Sequence, residues 1–440
     1  MSIINASLAK HVLVRQEGDD YFLFNRRNDG LIKVSNSILT SLTSGQLQDT
    51  ETNRQITTFL SQNNMLESAI EQVAAKPEIS KERRLYSPLM WVHSALNPIN
   101  LLWAITTRCN MKCSYCFPDV NSIQPTFITL GAEKLNQIAD QIIDAKILQV
   151  AISGGEALLE KYVWDIIEKL YKNNVKVGIN TNGTTITEKV IQKLKKYEVR
   201  VGISIDAPTE EINAITRGER FFSKTVKGIK ALIKANVPTS ALVTISRYNF
   251  PCLEEHIDFI HKELGIQGIV LQDLRSFGTK ETYDNTRLTP EQESNLYPVV
   301  EKIVNKYPKL NFNFTELFIF PHEKFKSEKN GKIMQCPAGY NLAYIDYYAD
   351  MYPCTQLQMM KLGNVLKDGS ITDLWQNSKM IKRLRELKEE PLENISGCIG
   401  CSKKKHCYGG CRGDAVFNGQ GMYGLASRCP KLLGQTCSDE

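Results

Sequence analysis

The sequence predicts an α/β fold: an open, partial (β/α)6 barrel between an N-terminal winged-helix-like domain and a C-terminal cysteine-rich domain. Three observations lead to this prediction. Six β-like segments alternate with helical patterns in the middle of the chain, three short β-like segments precede two helical patterns near its start, and cysteines cluster towards its end. Strand–helix repetition of this kind predicts a parallel sheet with helices on its outer face. The predicted boundaries are 1–90, 91–320 and 321–440.

A hydrophobic content of 42% predicts a globular protein. Because 440 residues are too many for a single hydrophobic core, two or three domains are expected. No apolar run reaches the roughly 18 residues of a membrane span, and the first 16 residues lack a secretory signal. A cytoplasmic protein without a membrane partner is therefore expected. The net charge of +6 is too small and too dispersed to indicate nucleic acid. Eleven of the twelve cysteines are clustered, which favours metal or cluster ligation over disulfides, and the isolated Cys252 is expected to be a buried apolar residue.

The N-terminal pattern is three strands, His11–Arg15, Tyr21–Asn25 and Leu31–Val34, followed by two helices. The segment YFLFNRRNDGLIKVSNSILTSL resembles the recognition domains that bind leader peptides of ribosomally made natural products. The resemblance implies that a precursor peptide adds as an extra strand at a sheet edge. The alternative is a cap that covers the barrel. Residues 76–100 have the charge and prolines of a linker.

The barrel prediction rests on six β-like segments in the centre of the chain. They are Leu101–Thr107, Gln149–Ser153, Lys176–Asn180, Arg200–Ile205, Ser240–Ser246 and Gly268–Leu274. In barrels of this type the functional residues gather at the C-terminal ends of the strands. The motifs that follow the strands are therefore the candidates for a site.

The first strand leads into TTRCNMKCSYCF, in which Cys109, Cys113 and Cys116 have the spacing C-x3-C-x2-C. Three thiolates can ligate three irons of a 4Fe–4S cluster, which leaves the fourth iron open for a small ligand. A zinc loop is the alternative, but structural zinc sites usually have four ligands and no fourth Cys or His lies nearby. With Tyr115 before the last cysteine, the motif resembles the signature of radical S-adenosylmethionine (radical SAM) enzymes, whose fold is a partial, TIM-like barrel.

Further motifs extend the resemblance. Gly154, Gly155 and Glu156 resemble the family's GGE motif, which implies that their backbone and the Glu156 carboxylate hold the amino group of S-adenosylmethionine. The segment INAITRGER resembles the family's Ala-Ile-Arg-Gly stretch, which implies that Arg217 binds the carboxylate of S-adenosylmethionine, with Arg220 as a substitute. By the same resemblance Tyr115 packs near the adenine.

Polar residues end the third, fourth and sixth predicted strands. The resemblance implies that Asn182, Ser204 and Asp206 line the nucleoside site, and the alternative is ordinary turn chemistry, above all for Asn182 with the following glycine. The sixth strand carries Asp273 and Arg275 near its mouth. Asp273 is the candidate proton acceptor, and a surface salt bridge is the alternative for it.

The C-terminal cysteines resemble the SPASM extension of radical SAM enzymes that modify peptides. They are Cys336, Cys354, Cys398, Cys401, Cys407, Cys411 and Cys429. The resemblance implies one auxiliary 4Fe–4S cluster on Cys398, Cys401, Cys407 and Cys429, and another on Cys336, Cys354 and Cys411. The second cluster would keep an open iron or take a further ligand such as the substrate. Cys437 is a spare cysteine, but its position in the tail argues against that role. Ala349 stands where the family usually has glycine. A zinc ribbon is the competing interpretation.

Together the resemblances imply three 4Fe–4S clusters and S-adenosylmethionine, whose cleavage gives a 5′-deoxyadenosyl radical that abstracts hydrogen. The leading hypothesis is a peptide maturase that installs a thioether or carbon–carbon cross-link on a precursor held by its leader. Its electron donor would be a flavodoxin or ferredoxin. Alternatives are a formylglycine-generating sulfatase maturase, a cofactor- or tetrapyrrole-tailoring enzyme, and a non-catalytic iron–sulfur electron carrier or peptide-binding scaffold.

Overall fold

The computed structural model describes residues 3–5, 7–27, 30–67, 95–116, 127–274, 280–315, 337–402, 409–429 and 431–432. The N-terminal unit is a small antiparallel sheet packed on two helices. Its elements are β1 (Ile3–Asn5), β2 (Val12–Glu17), β3 (Asp20–Asn25), β4 (Leu31–Ser35), α1 (Asn36–Thr43), β5 (Gln46–Gln48) and α2 (Glu51–Gln62). Strands β2, β3 and β4 form one sheet, and β1 pairs with β5. The three predicted strands and two helices are confirmed, whereas the β1–β5 pair was not predicted.

The central unit is a parallel sheet covered by helices on one face. Its strands are β6 (Asn100–Ala104), β7 (Gln149–Ser153), β8 (Lys176–Thr181), β9 (Arg200–Ser204), β10 (Thr239–Ile245), β11 (Gly268–Asp273) and β12 (Asn311–Thr315). The helices are α3 (Gly131–Asp144), α4 (Val163–Lys172), α5 (Glu188–Lys196), α6 (Glu210–Arg217), α7 (Phe222–Lys234), α8 (Leu253–Asp258), α9 (Lys280–Thr286) and α10 (Pro290–Lys306). The open α/β barrel is confirmed, and β12 adds a seventh strand to the predicted six.

The C-terminal segment continues the same sheet. Its elements are β13 (Leu342–Ile345), β14 (Asp350–Tyr352), β15 (Gly363–Asn364), α11 (Ile371–Asn377), α12 (Lys379–Glu389) and α13 (Arg412–Phe417). Strand β13 pairs in parallel with β6, and β14 and β15 follow as antiparallel strands. The cysteine-rich segment is thus joined by backbone hydrogen bonds to the strand that precedes Cys109.

Local sequence signals set the ends of several helices. Thr187 caps α5 by accepting a hydrogen bond from the backbone of Val190. Thr289 and Gln292 form a reciprocal capping box at the start of α10, with Pro290 in the first turn. No helix among the described residues is long and apolar enough to cross a membrane.

The two faces of the barrel strands differ in composition. The helix-covered face is buried and apolar, with Val150, Ile152, Val201 and Ile203 in the main core. The opposite face carries small or polar side chains that are half-buried, and these include Ser153, Asn180, Ser204 and Gln272. Because successive side chains of a strand point to opposite faces, the apolar side chains face the helices and the small or polar ones line the inner wall.

The N-terminal unit docks against the N-terminal ends of the barrel strands. Phe22, Phe24 and Leu31 share a buried apolar cluster with Ala95, Ile99 and Leu148. The buried Arg15 guanidinium donates to the carbonyl oxygens of Asn97 (2.8 Å) and Pro98 (3.0 Å) and lies 3.0 Å from the Glu17 carboxylate. Glu17 in turn accepts a hydrogen bond from the backbone of Leu96. The unit therefore lies at the opposite end of the barrel from the strand mouths.

Replacing Glu17 by glutamine is expected to lower the free energy of unfolding by about 1–3 kcal/mol, because Arg15 loses its charged partner in a buried interface. Hydrogen exchange of β2 and a denaturation curve would measure the effect. Asp20→Asn is the matched control, since its pair with Lys33 is 3.0 Å long but exposed, and an exposed pair contributes about 0–1 kcal/mol. Equal effects of the two substitutions would contradict the buried docking contact.

Candidate functional site

The predicted site residues lie where parallel-barrel geometry places them, after the C-terminal ends of neighbouring strands. The cysteine loop follows β6, the two glycines and Glu156 follow β7, Asn182 follows β8, and Asp206 follows β9. Arg217 is the last residue of α6, which comes directly after that turn. The structure thus brings together residues that are up to about a hundred positions apart in the chain.

The two glycines pack against the backbone of the cysteine loop. The Gly155 amide donates to the Thr106 carbonyl oxygen at 2.8 Å, and the Glu156 amide donates to the Arg108 carbonyl oxygen at 2.7 Å. A Cβ atom on Gly154 would meet the Thr106 carbonyl oxygen at 2.4 Å, and one on Gly155 would meet that of Arg108 at the same distance. The absence of side chains on the two glycines is therefore what lets the backbone of the cysteine loop approach the turn after β7.

Glu156 is fully buried, and the protein itself supplies donors to both oxygens of its carboxylate. One oxygen accepts from the Thr181 hydroxyl at 2.8 Å and the Leu158 amide at 3.1 Å, and the other accepts from the Asn182 amide at 2.7 Å. Burial raises the pKa of Glu156, and these hydrogen bonds oppose the shift. Glu156 joins the ends of β7 and β8, and its contact with an amino group stays a prediction.

Asp206, Arg217 and Tyr115 form one buried polar cluster. Arg217 Nε donates to Asp206 Oδ2 at 2.6 Å, and the Tyr115 hydroxyl donates to the same oxygen. The other oxygen of Asp206 accepts from the Thr244 amide at 2.9 Å. The Arg217 guanidinium lies 5.5 Å from the Tyr115 ring centroid, within the range of a cation–π contact.

This cluster also connects to the cysteine loop. The Ser114 amide donates to the carbonyl oxygen of Thr216 at 2.8 Å, which ties the loop to α6. Arg220, the predicted substitute for Arg217, is exposed at the surface. Arg217 is therefore the arginine that the fold places beside the cysteines.

Ser204 and Asp206 have different environments although they are two residues apart. Ser204 is half-buried on the inner wall, and its hydroxyl has no hydrogen-bond partner in the described part of the chain. Asp206 is occupied by Arg217 and Tyr115. A nucleoside role for Ser204, Asp206 and Tyr115 stays a prediction.

Asp273, at the end of β11, forms a salt bridge with Arg428, the residue before Cys429. The two side chains are only 17% and 10% exposed, so the contact is not the surface pair that the sequence suggested as an alternative. It links the barrel to the cysteine-rich segment. The role of Asp273 as a proton acceptor remains untested, and Arg275 lies outside the described residues.

The first three cysteines lie on one half-buried loop. Burial, with a smaller contribution from the nearby Cys113, raises the pKa of Cys109 to about 11, so this thiol favours the protonated form unless a metal displaces the proton. No three Cys, His, Asp or Glu side chains in the described ranges already stand at metal-binding distances. The donor set still fits an iron–sulfur cluster, because residues 109–116 offer thiols and neither carboxylate nor imidazole.

The described C-terminal cysteines also lie near one another. Cys398, Cys401 and Cys429 are buried, and the electrostatic influence of Cys429 and Cys401 on Cys398 places the three thiols in one neighbourhood. Cys354 packs against the apolar cluster that contains Cys398. Cys411 occupies the N-cap position directly before α13. Cys336, Cys407 and Cys437 lie outside the described residues, so the pairing of these cysteines stays a prediction.

The structure also gives the backbone conformation of Ala349 and the burial of Cys252. Ala349 has φ +69°, so the chain forms a turn that favours glycine although the residue is alanine. Cys252 is half-buried, and its thiol donates to the Asn249 carbonyl oxygen at 3.4 Å. It is thus less buried than the sequence analysis predicted.

Asn110 and Asn249 are site residues that the sequence analysis missed. Asn249 donates to the carbonyl oxygens of Asp206 and Thr244, both at 2.8 Å, and so supports the Asp206 turn. Its position in an ordinary loop gave no signal. Asn110 lies inside the cysteine motif, directly after Cys109, and this position is the signal in the sequence that points to it.

His256 lies behind the Asp206 turn and gives a pH-dependent prediction. Its Nε2 donates to the Ile205 carbonyl oxygen at 3.0 Å, and burial lowers its pKa to about 4. Below about pH 6.5 the imidazole of His256 is protonated in the unfolded chain but stays neutral in the folded chain until the pH approaches 4. We expect the free energy of unfolding to fall by about 2 kcal/mol between pH 7.5 and 5. Denaturation curves of His256→Gln should have a shallower pH slope, and an unchanged slope would assign the effect elsewhere.

Comparison with known proteins gives family matches for two segments of the chain. Residues 103–260 match the radical SAM superfamily, and residues 336–402 match the iron–sulfur cluster-binding domain called SPASM. The chain is a radical SAM enzyme with a SPASM domain. The mycofactocin maturase MftC of Mycolicibacterium smegmatis is 27% identical over 344 residues, covering 77% of this enzyme and 84% of MftC.

Two solved structures share the fold of this radical SAM enzyme. Streptococcus suis SuiB bound to its precursor peptide SuiA has a TM-score of 0.67 at 17% identity, covering 96% of this chain and 99% of SuiB. The enzyme anSMEcpe with bound AdoMet and the Cp18Cys peptide has a TM-score of 0.60 at 19% identity, covering 76% of this chain and 95% of that one. At these identities the likeness concerns architecture. It covers a larger share of this chain in SuiB than in anSMEcpe.

Proposed function

We propose that this radical SAM enzyme is a peptide maturase that removes hydrogen from a ribosomally made precursor and installs a thioether or carbon–carbon cross-link. The observation that carries the proposal is the architecture: an N-terminal sheet unit, an open barrel and a SPASM segment in one chain. SuiB has the same arrangement over nearly its whole length and binds a precursor peptide. The related MftC is also a maturase.

In this proposal Cys109, Cys113 and Cys116 hold a 4Fe–4S cluster, and the C-terminal cysteines hold two auxiliary clusters. Bound there, the first cluster would supply one electron, and S-adenosylmethionine would supply the 5′-deoxyadenosyl group that takes one hydrogen atom from the peptide. The second hydrogen would leave as a proton, and an auxiliary cluster would accept the remaining electron. The chain's own contribution is placement. Its glycines let the loop approach β7, and Arg217 stands buried beside the loop, where a guanidinium can pair with a carboxylate.

The inner wall of the barrel is the proposed place for the reacting part of the peptide. Its half-buried polar side chains, Ser153, Asn180, Ser204 and Gln272, line the strand mouths and can offer hydrogen bonds. A reactive radical needs exclusion of water and of wrong targets. The continuous hydrogen-bonded sheet from β12 to β15 supplies a wall on the C-terminal side.

The leader would bind the N-terminal unit, which docks at the far end of the barrel. The reacting residue must then lie several residues beyond the leader, since an extended chain spans at most about 3.3–3.6 Å per residue. A flavodoxin or ferredoxin would deliver the electron. Clustered thiols with no disulfide among the described cysteines suit a cytoplasmic, reducing location.

Mass spectrometry of a precursor co-expressed with the enzyme tests the proposal. We expect a loss of two hydrogens, located by fragmentation, and no change with Cys109→Ala. A peptide mass that is unchanged in ordinary water, with deuterium incorporated from deuterated solvent, would indicate epimerisation instead of a cross-link. Iron and sulfide analysis should give about 12 iron atoms per chain for three clusters. If the enzyme forms no 5′-deoxyadenosine when it is incubated with S-adenosylmethionine and dithionite, the proposal of an enzyme is wrong, and an electron carrier or scaffold is favoured.

A further inference from the structure

Three polar side chains form a closed hydrogen-bonded ring between the cysteine loop and the end of β8. Asn182 Nδ2 donates to Asn110 Oδ1 at 2.8 Å, and Asn110 Nδ2 donates to Thr184 Oγ1 at 2.8 Å. The Thr184 hydroxyl then donates to Asn182 Oδ1 at 2.7 Å. Asn110 is the residue directly after Cys109, so the ring attaches to the loop at its first thiol.

The ring is anchored in the buried part of the site. The Asn182 amide donates to the buried Glu156 carboxylate at 2.7 Å, and the Asn182 carbonyl oxygen accepts from the Thr225 hydroxyl at 2.8 Å. Asn110 itself is exposed. An exposed loop residue is thus fixed to the core through a side chain more than seventy positions away.

The geometry also changes the expected part of Asn182. Its Oδ1 accepts from both the amide (3.0 Å) and the hydroxyl (2.7 Å) of Thr184, and its Nδ2 is engaged with Asn110. An amide has two donor hydrogens and one acceptor oxygen, so most of its capacity is used inside the protein. The sequence predicts that Asn182 lines the nucleoside site or forms an ordinary turn, and neither role requires Asn110.

We propose that Asn110, Asn182 and Thr184 are a clamp that holds the Cys109 loop in place for cluster binding. Asn110 and Thr184 are positioning residues, because their side chains bond to each other and to Asn182 and act on the thiols only through the loop backbone. The inference rests on the proposed function, in that the loop must carry a cluster. It adds a set of outer partners that fix the ligand-bearing backbone, comparable to the partners that orient metal ligands elsewhere.

Iron release from anaerobically reconstituted full-length enzyme to a ferrous chelator tests the clamp. The fraction of iron that Cys109→Ala lacks defines the cluster on this loop. Asn110→Ala and Thr184→Val should each accelerate release of that fraction about tenfold, as loss of outer partners weakens metal sites by 10–100-fold. The rest of the iron should leave at the wild-type rate, which a general loss of folding would not allow.

The neighbouring Thr185 gives a matched control. Its hydroxyl is buried but has no hydrogen-bond partner, so Thr185→Val should leave iron release unchanged. Thr184→Ser keeps the hydroxyl and should restore the wild-type rate. In Asn110→Ala, the added Thr184→Val should have no further effect, because contacts in one network are not additive.

The outcomes separate this inference from the proposed function. Wild-type release rates in Asn110→Ala, or equal effects of Thr184→Val and Thr185→Val, would overturn the clamp while leaving the cluster in place. Wild-type enzyme that retains no more iron than Cys109→Ala would overturn the proposed function itself. Acceleration restricted to the Cys109-dependent fraction would support both.

Discussion

Replacing Asp206 by alanine is expected to lower the free energy of unfolding by about 3–5 kcal/mol and to abolish formation of 5′-deoxyadenosine. Arg217 and Asp206 are 8% and 2% exposed, so the substitution leaves a buried guanidinium without its counter-charge. It also removes the acceptor for the Tyr115 hydroxyl and the Thr244 amide. Denaturation curves and hydrogen exchange of β9 and β10 would measure the loss.

Two variants separate charge from packing in this cluster. The double variant Asp206→Asn with Arg217→Met removes both charges, so most of the stability should return while S-adenosylmethionine cleavage stays lost. Arg220→Ala is the control, because that arginine is exposed just beyond α6 and should affect neither stability nor activity. Wild-type stability of Asp206→Ala would mean that water can reach Arg217 and that the pair does not support the site.

The pairing of Arg217 with Asp206 marks a limit of what the sequence could predict. The motifs placed both residues at the mouths of the strands, and the structure has them there. They were predicted as separate contacts to a cofactor, because eleven positions across a strand, a turn and a helix give no distance between two side chains. A buried charge needs a partner, and the fold supplies Asp206.

Glu156 and Asp273 follow the same pattern. Strand periodicity and the end of the strand predicted where each carboxylate would lie, but the hydrogen-bond partners come from segments that only the fold brings near. For Glu156 these are Thr181 and Asn182 on the next strand, and for Asp273 the partner is Arg428 in the cysteine-rich segment. The position of each carboxylate could be predicted from strand periodicity, whereas its hydrogen-bond or salt-bridge partner depends on tertiary contacts.

The six predicted barrel strands were recognisable because each is a short apolar or alternating segment bounded by helical patterns. The seventh strand, β12, has the sequence NFNFT, whose strict alternation is itself a strand signal that was not used. Strand β13 could not be placed from its sequence. Its parallel pairing with β6 joins segments more than two hundred positions apart, and such pairing leaves no local trace.

Gly155→Ala is expected to remove the iron held by the cysteine loop, about 4 of 12 atoms per chain, and to abolish S-adenosylmethionine cleavage. The added Cβ would lie 2.4 Å from the Arg108 carbonyl oxygen and 2.8 Å from the Thr107 carbonyl oxygen. Both are backbone atoms, so no rotamer change can relieve the contact. Either β7 or the loop must shift, and the hydrogen bonds at 2.8 and 2.7 Å that join them would be lost. Overpacking of this kind costs typically about 1–3 kcal/mol in stability.

Gly178→Ala on the adjacent strand is the matched control for the added methyl group. A Cβ at Gly178 would find its nearest neighbour at 3.7 Å, an ordinary contact, so this variant should keep its iron and its activity. Iron and sulfide analysis together with 5′-deoxyadenosine assays would compare the two. Full iron content and wild-type cleavage in Gly155→Ala would show that the loop can retreat without losing its cluster. In that case the close approach of the two backbones would be a feature of packing and not a requirement of the chemistry.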